Sequence, residues 1–172
     1  MTIHLLKPAL KRHEAEAIAS IWLDNELEIQ NFLSHFDKHS LVAKRKGMWI
    51  LGIIHEMAGN SLDSFHDVIF KIFSKSSDPA VRREIFQILS RTPNEKIRGA
   101  MLDEALKCIL NPLSSVAECH HALQCLMEPS LKHPEIAQET IHALTKTLDM
   151  RTTAWSRYGS KKIALMQRSC KR

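Results

Sequence analysis

Thiols and imidazoles crowd one stretch of the chain: Cys108, Cys119, His120, His121 and Cys125. Zinc is the chemistry such a set suggests, and it needs three or four ligands converging at about 2.0–2.3 Å. On one helix Cys119 and Cys125 are separated by about 600° and so point about 120° apart. Only His121 and Cys125, at i and i+4, share a face, and no C-x-x-C occurs. Buried cysteines and surface histidines are expected here, with no metal ligand. His35 and His39 are also at i and i+4, but they straddle a helix end beside Asp37 and read as a solvated pair. His55-Glu56 begins like the metalloprotease motif H-E-x-x-H, yet Gly59 stands where the second His belongs. No G-x-S-x-G, P-loop or G-x-G-x-x-G is present, and five scattered glycines build no phosphate cradle. The expectation is a non-enzyme with no catalytic residue and no cofactor.

Cations offer a second kind of chemistry. The net charge is +5, but residues 151–172 hold seven basic and no acidic groups, whereas 111–150 hold two and five. The basic balance therefore belongs to one end, which argues less strongly for nucleic acid than a uniformly basic surface would. Two possible ridges stand out. Lys44 and Arg45, with Arg82 and Arg83, fall in the first turns of two helices, where stacking would align them to touch phosphates. The plainer expectation is that these four are solvated and paired with Glu and Asp. The other ridge is in the last helix, where Arg157, Lys161, Arg168 and Arg172 fall within about 60° of one another on a wheel of 100° per residue. Trp155, Tyr158, Ile163, Leu165, Met166 and Cys170 form the apolar face of the same wheel, and the stem of Lys162 should snorkel past Tyr158.

The elements that must position these residues are helical throughout. Gly and Pro are scarce and Val occurs four times, which disfavours an all-β fold. At 44% hydrophobic and 25% charged the chain can build a core, and no apolar run nears the roughly 18 residues a bilayer requires. Four Cys and no apolar N-terminal run point to a reduced, cytoplasmic protein. Pro8 is expected to open the first helix; others are expected at about 27–36, 40–57, ended by Gly59-Asn60, and 61–75. Asp78-Pro79 caps a helix whose stripe is Val81, Ile85, Ile88 and Leu89, with Arg83 and Gln87 outward. Thr92-Pro93-Asn94-Glu95 and Ser115-Val116-Ala117-Glu118 are capping boxes; the second should open a helix ending near Met127. Pro134 opens another, and the last runs over 153–170 with a bend at Gly159.

Helix starts at 40–51, 78–89 and 114–125 recur every 36–38 residues, the size of a two-helix repeat. Asp78-Pro79-Ala80-Val81-Arg82 resembles the D-P-x-V-R signature of HEAT-like repeats, in which Asp and Arg interact between repeats and Val enters the core. Aligned on Val42 and Val116, the other two segments lack the Asp and the Arg. The run Ala117–Leu126, with Lys132 to Ile136, Ser156-Arg157 and Lys162-Ile163, resembles small bacterial HEAT-like proteins. The Ser-rich loop S-S-x-M-P-x-K-x-N of adenylosuccinate lyases has no counterpart, so no lyase activity is expected.

The resemblance implies one domain over residues 1–172: an all-α, right-handed α-α superhelix of four to five antiparallel helical hairpins. It also implies a non-catalytic binding module that recognises a protein or peptide. The alternative is a nucleic-acid-binding protein similar to HEAT-like DNA glycosylases, whose basic concave face carries aromatic residues; Trp22, Trp49 and Trp155 are the candidates for that role.

Overall fold

A computed structural model describes residues 9–90, 92 and 94–169. Nine α-helices and no strand occur among the described residues. None of these helices is long and apolar enough to cross a membrane. The chain forms two compact units, residues 1–93 and 94–172.

In the N-terminal unit α1 (Arg12–Asp24) and α2 (Glu26–Ser34) precede α3 (Leu41–Ala58), α4 (His66–Lys75) and α5 (Pro79–Leu89). α3 is the central element, packed on α1, on α5 and on the 3-10 stretch Gly59–Phe65. Its middle is apolar nearly all round: Met48, Ile50, Leu51, Ile53 and Ile54 are buried. A helix enclosed by neighbours needs no polar face. Arg45 in the first half of α3 reaches Asp78 at the start of α5, and Glu56 near the end of α3 meets Gln87 near the end of α5. The two helices therefore run parallel. α1 runs opposite to α3, because Arg12 in its first turn pairs with Glu56 at 2.7 Å.

In the C-terminal unit α6 (Glu95–Leu110) packs on α7 (Val116–Lys132) and α8 (Pro134–Thr147). The last helix, α9 (Thr153–Ser169), packs on α8 and α7. Arg151, just before α9, donates to the carbonyls of Ile109 and Asn111 at the end of α6 and of Ser114 before α7. The α6–α7 and α8–α9 connections thus lie at one end of the unit. It follows that α6 runs parallel to α8, and α7 to α9.

Three helix starts are capped alike, at the period seen in the sequence. Ser40 accepts from the Ala43 amide, Asp78 from Ala80 and Val81, and Ser115 from Glu118. The third helical residue after each cap, Ala43, Val81 or Glu118, is buried. This register corrects the alignment on valines: Val42 and Val116 are 49% and 36% exposed, because they sit one and two places closer to their caps than Val81 does. The stripe Val81, Ile85, Ile88 and Leu89 is buried as expected, but Glu84 and Phe86 are buried too, and Arg83 and Gln87 are only partly exposed.

Other boundaries differ for physical reasons. Pro8 lies outside the described residues. The expected fourth helix begins as the 3-10 stretch and becomes α-helical only at His66. Asn94, not Thr92, caps α6 by accepting from Lys96 and Ile97. Thr92 is buried with its hydroxyl 2.9 Å from His66 Nδ1. α7 does not stop near Met127 but continues through Pro129 to Lys132. Pro129 removes one donor to the preceding turn, and the Ser130 hydroxyl bonds Thr140 of α8 at 3.0 Å, tying the last turn down. α9 runs unbroken through Gly159. A Cβ at Gly159 would lie 2.7 Å from Leu148 Cδ2, so this glycine serves close packing.

Candidate docking site

α9 is seated by one face and presents the other. Thr152 caps its start by accepting from the Trp155 amide at 3.3 Å. Trp155, Gly159 and Met166 are buried, at the spacing of a single helical face. The Ser156 hydroxyl donates to the Leu148 carbonyl. The Arg151 guanidinium lies 5.8 Å from the Trp155 ring while its amines bind three carbonyls, which fixes the entry into α9.

On the outer face Arg157, Lys161 and Arg168 are exposed. Among the described residues no hydrogen bond or ion pair engages them. Arg172, the fourth member of the expected ridge, lies outside the described residues, as does Cys170. Lys162 leans over the Tyr158 ring with Nζ at 5.3 Å, the snorkelling expected from the wheel. His120 of α7 packs against the same ring at 4.6 Å. Burial, then the neighbouring Lys162 charge, holds the His120 imidazole below its ordinary range, and burial pushes the Tyr158 phenol up. Leu165, expected on the inner face, is 42% exposed at the edge of the apolar arc. Together Tyr158, Lys161, Lys162, Ala164, Leu165 and Arg168 line a shallow hollow of about 470 Å³.

The basic residues of α3 and α5 are disposed differently. Arg45 binds Asp78 through Nη2 at 2.6 Å and through Nε at 3.1 Å. These bonds, with the α5 amides, hold the Asp78 carboxyl below its usual range against the opposing effect of burial. Arg83 binds the buried Glu84 at 2.6 Å, yet burial still pushes the Glu84 carboxyl up. Glu84 can be housed because Gly52 faces it: a Cβ there would lie 2.7 Å from Glu84 Oε2. Arg82 lies over the Phe73 ring at 4.1 Å, and Lys44 over Phe36 at 5.4 Å.

The thiol and imidazole groups do not converge. Cys119 Sγ donates to the Cys108 carbonyl at 3.5 Å, within the core. Cys108 is pushed up by its bond to Cys119 and by burial, and burial pushes Cys125 up to about 12. All three thiols are packed in the core. His35 bonds the Asn31 carbonyl while His39 stacks on Phe32, so the pair does not face a common point. Glu56 is engaged by Arg12 and Gln87. Among the described residues no three His, Cys, Asp or Glu side chains form a group able to hold a metal ion.

Trp22 and Trp155 are buried and Trp49 is half-buried. Neither buried indole can stack a nucleic-acid base. Two features escaped the sequence reading. Arg151 was counted only as one more cation, although a lone Arg just before a helix start is placed to satisfy nearby carbonyls. The His120–Tyr158 contact joins residues far apart in sequence and left no local signal. Comparison of the chain with protein-family models, with curated proteins and with solved structures gives no match.

Proposed function

We propose that this protein is a non-catalytic binding module of HEAT-like helical hairpins that docks a protein or peptide partner on the outer face of α9. The repeat reading is supported by the parallel pairs α3 with α5, α6 with α8 and α7 with α9, and by the recurrent caps Ser40, Asp78 and Ser115. α1 runs opposite to α3 and stands outside this pattern.

The observation that carries the docking reading is the set of exposed cations, Arg157, Lys161 and Arg168, with no intramolecular partner among the described residues. A cation left in water costs the fold nothing and remains available to an anion. A solubility cap would look similar, so the test is binding. Dye-labelled poly-glutamate should bind the protein, and more weakly as salt rises. Replacing Arg157, Lys161 and Arg168 by Gln should weaken that binding at least tenfold at low salt. Equal binding by the variant and the unmodified protein would leave the ridge as a solubility feature. The nucleic-acid alternative gains nothing from the indoles, two of which are buried.

A further inference from the structure

The hollow on α9 combines features that one class of partner would use together. Three cations line it, Lys161, Lys162 and Arg168, yet so do Tyr158, Ala164 and the 42% exposed Leu165. Residues 151–172 contain no acid to offset the charge.

A phosphate backbone would use the cations and leave Leu165 and Ala164 without a partner. Base stacking needs an open aromatic face, and the Tyr158 ring is already engaged by His120 at 4.6 Å and Lys162 at 5.3 Å. An anionic membrane would take cations and apolar groups together, but an interfacial helix must commit a broad apolar sector to the bilayer. In α9 that sector is spent inside the unit on Trp155 and Met166. A narrow apolar strip flanked by cations matches an acidic helix or extended segment that offers one apolar side chain among carboxylates.

We infer that the α9 hollow binds an acidic polypeptide segment, with an aliphatic side chain seated between Tyr158 and Leu165 and carboxylates paired to Lys161, Lys162 and Arg168. The inference rests on the docking function proposed above and specifies the chemistry of the partner. Charge brings the segment to α9, because opposite potentials steer association. The aliphatic contact sets which acidic segment stays, because apolar area leaves water only when a side chain of suitable shape meets the hollow.

The test uses two dye-labelled peptides of equal length and equal glutamate content, one with leucines at i and i+4 and one with serines there. Oligothymidylate and phosphatidylglycerol vesicles are titrated alongside at the same salt. Tyr158 is the only tyrosine in the chain, so 3-fluorotyrosine gives a single fluorine resonance that reports on the hollow. The leucine peptide should bind roughly tenfold more tightly than the serine peptide and shift that resonance further. Leu165→Ser should bring the two peptides together. Arg168→Gln should weaken both peptides. Circular dichroism should show Leu165→Ser folded, since that side chain is substantially exposed. Equal affinity of the two peptides for the unmodified protein would overturn the inference while leaving an anion-docking ridge in place. Tighter binding of oligothymidylate or of the vesicles than of the leucine peptide would also overturn it. If poly-glutamate and both peptides fail to bind, the docking function itself falls.

Discussion

In α3 and α5, Arg45 and Arg83 each reach a carboxylate, at 2.6 Å in both cases, and Arg82 lies over an aromatic ring. In α9, Arg157, Lys161 and Arg168 are exposed and, among the described residues, bind nothing. The two sets are alike in residue type, and both lie on helices. They differ in what surrounds them: residues 1–110 hold fifteen basic and fourteen acidic groups, residues 151–172 seven and none. A cation near acids is consumed by the fold it belongs to. In the acid-free segment Arg151 is taken up by three carbonyls and Lys162 by the Tyr158 ring, while Arg157, Lys161 and Arg168 meet neither an acid nor another partner among the described residues. Local charge balance, read together with nearby carbonyls and rings, is a better guide to a docking face than the density of Lys and Arg.

The comparison can be broken most sharply by paired truncations. Ile85 lies fully buried beneath α5, whereas Leu165 stands out from α9. Ile85→Ala should cost about 2–5 kcal/mol of unfolding free energy, and Leu165→Ala no more than about 0.5 kcal/mol. Urea denaturation measures both. Similar losses at the two positions would mean that α9 is buried on both faces and offers no docking surface.

A smaller effect is expected at Asp78, which caps α5 and holds Arg45. Asp78→Ala should cost about 1–2 kcal/mol, mostly for the lost cap. The carboxyl is depressed below its ordinary 3.8, so its contribution is present above that pH and is lost on further acidification. A melting temperature unchanged by the substitution would show that Arg45 is as unoccupied as the α9 cations.

The N-terminal unit also carries a buried titratable group, whereas Arg157, Lys161 and Arg168 of α9 are exposed. Burial, with His55 nearby, holds the His66 imidazole below its ordinary 6.5, and Asp63 at 3.7 Å offsets this only in part. The unfolded chain then binds the proton more readily than the folded one. Stability should be full above about pH 6.5 and decline as the pH falls from there toward the lower folded value. His66→Asn should flatten part of that decline in melting curves taken between pH 7 and pH 5. A steeper decline in the variant would assign the effect to other groups.

The local grammar of the fold was legible. Asp78 and Ser115 were readable as caps because a side chain two or three residues from its amide needs no tertiary information. The stripe from Val81 to Leu89 and the Trp155–Met166 face followed from helical period alone. Contacts set by distant residues were not legible. Thr92 and Asn94 were both competent caps, and what decided between them was His66, 26 positions away, which takes the Thr92 hydroxyl. Arg45 finds Asp78 across 33 positions. The helix end expected near Met127 gives way to a helix that continues to Lys132. In the docking face, the cations were readable from charge and spacing. The hollow they share with Tyr158 and an exposed Leu165 was not, because exposure at the edge of an apolar arc depends on how far the neighbouring helices reach.

The claim that α9 carries the free cations is tested most directly by a charge-matched pair of variants on heparin. One replaces Arg157, Lys161 and Arg168 by Gln; the other replaces Arg45, Arg82 and Arg83. Each removes three positive charges, and both are compared with the unmodified protein across a salt gradient, at a temperature where circular dichroism shows all three folded. The account predicts that the α9 variant elutes at clearly lower salt while the α3–α5 variant elutes close to the unmodified protein. Coincident elution of the two variants, or earlier elution of the α3–α5 variant, would contradict it.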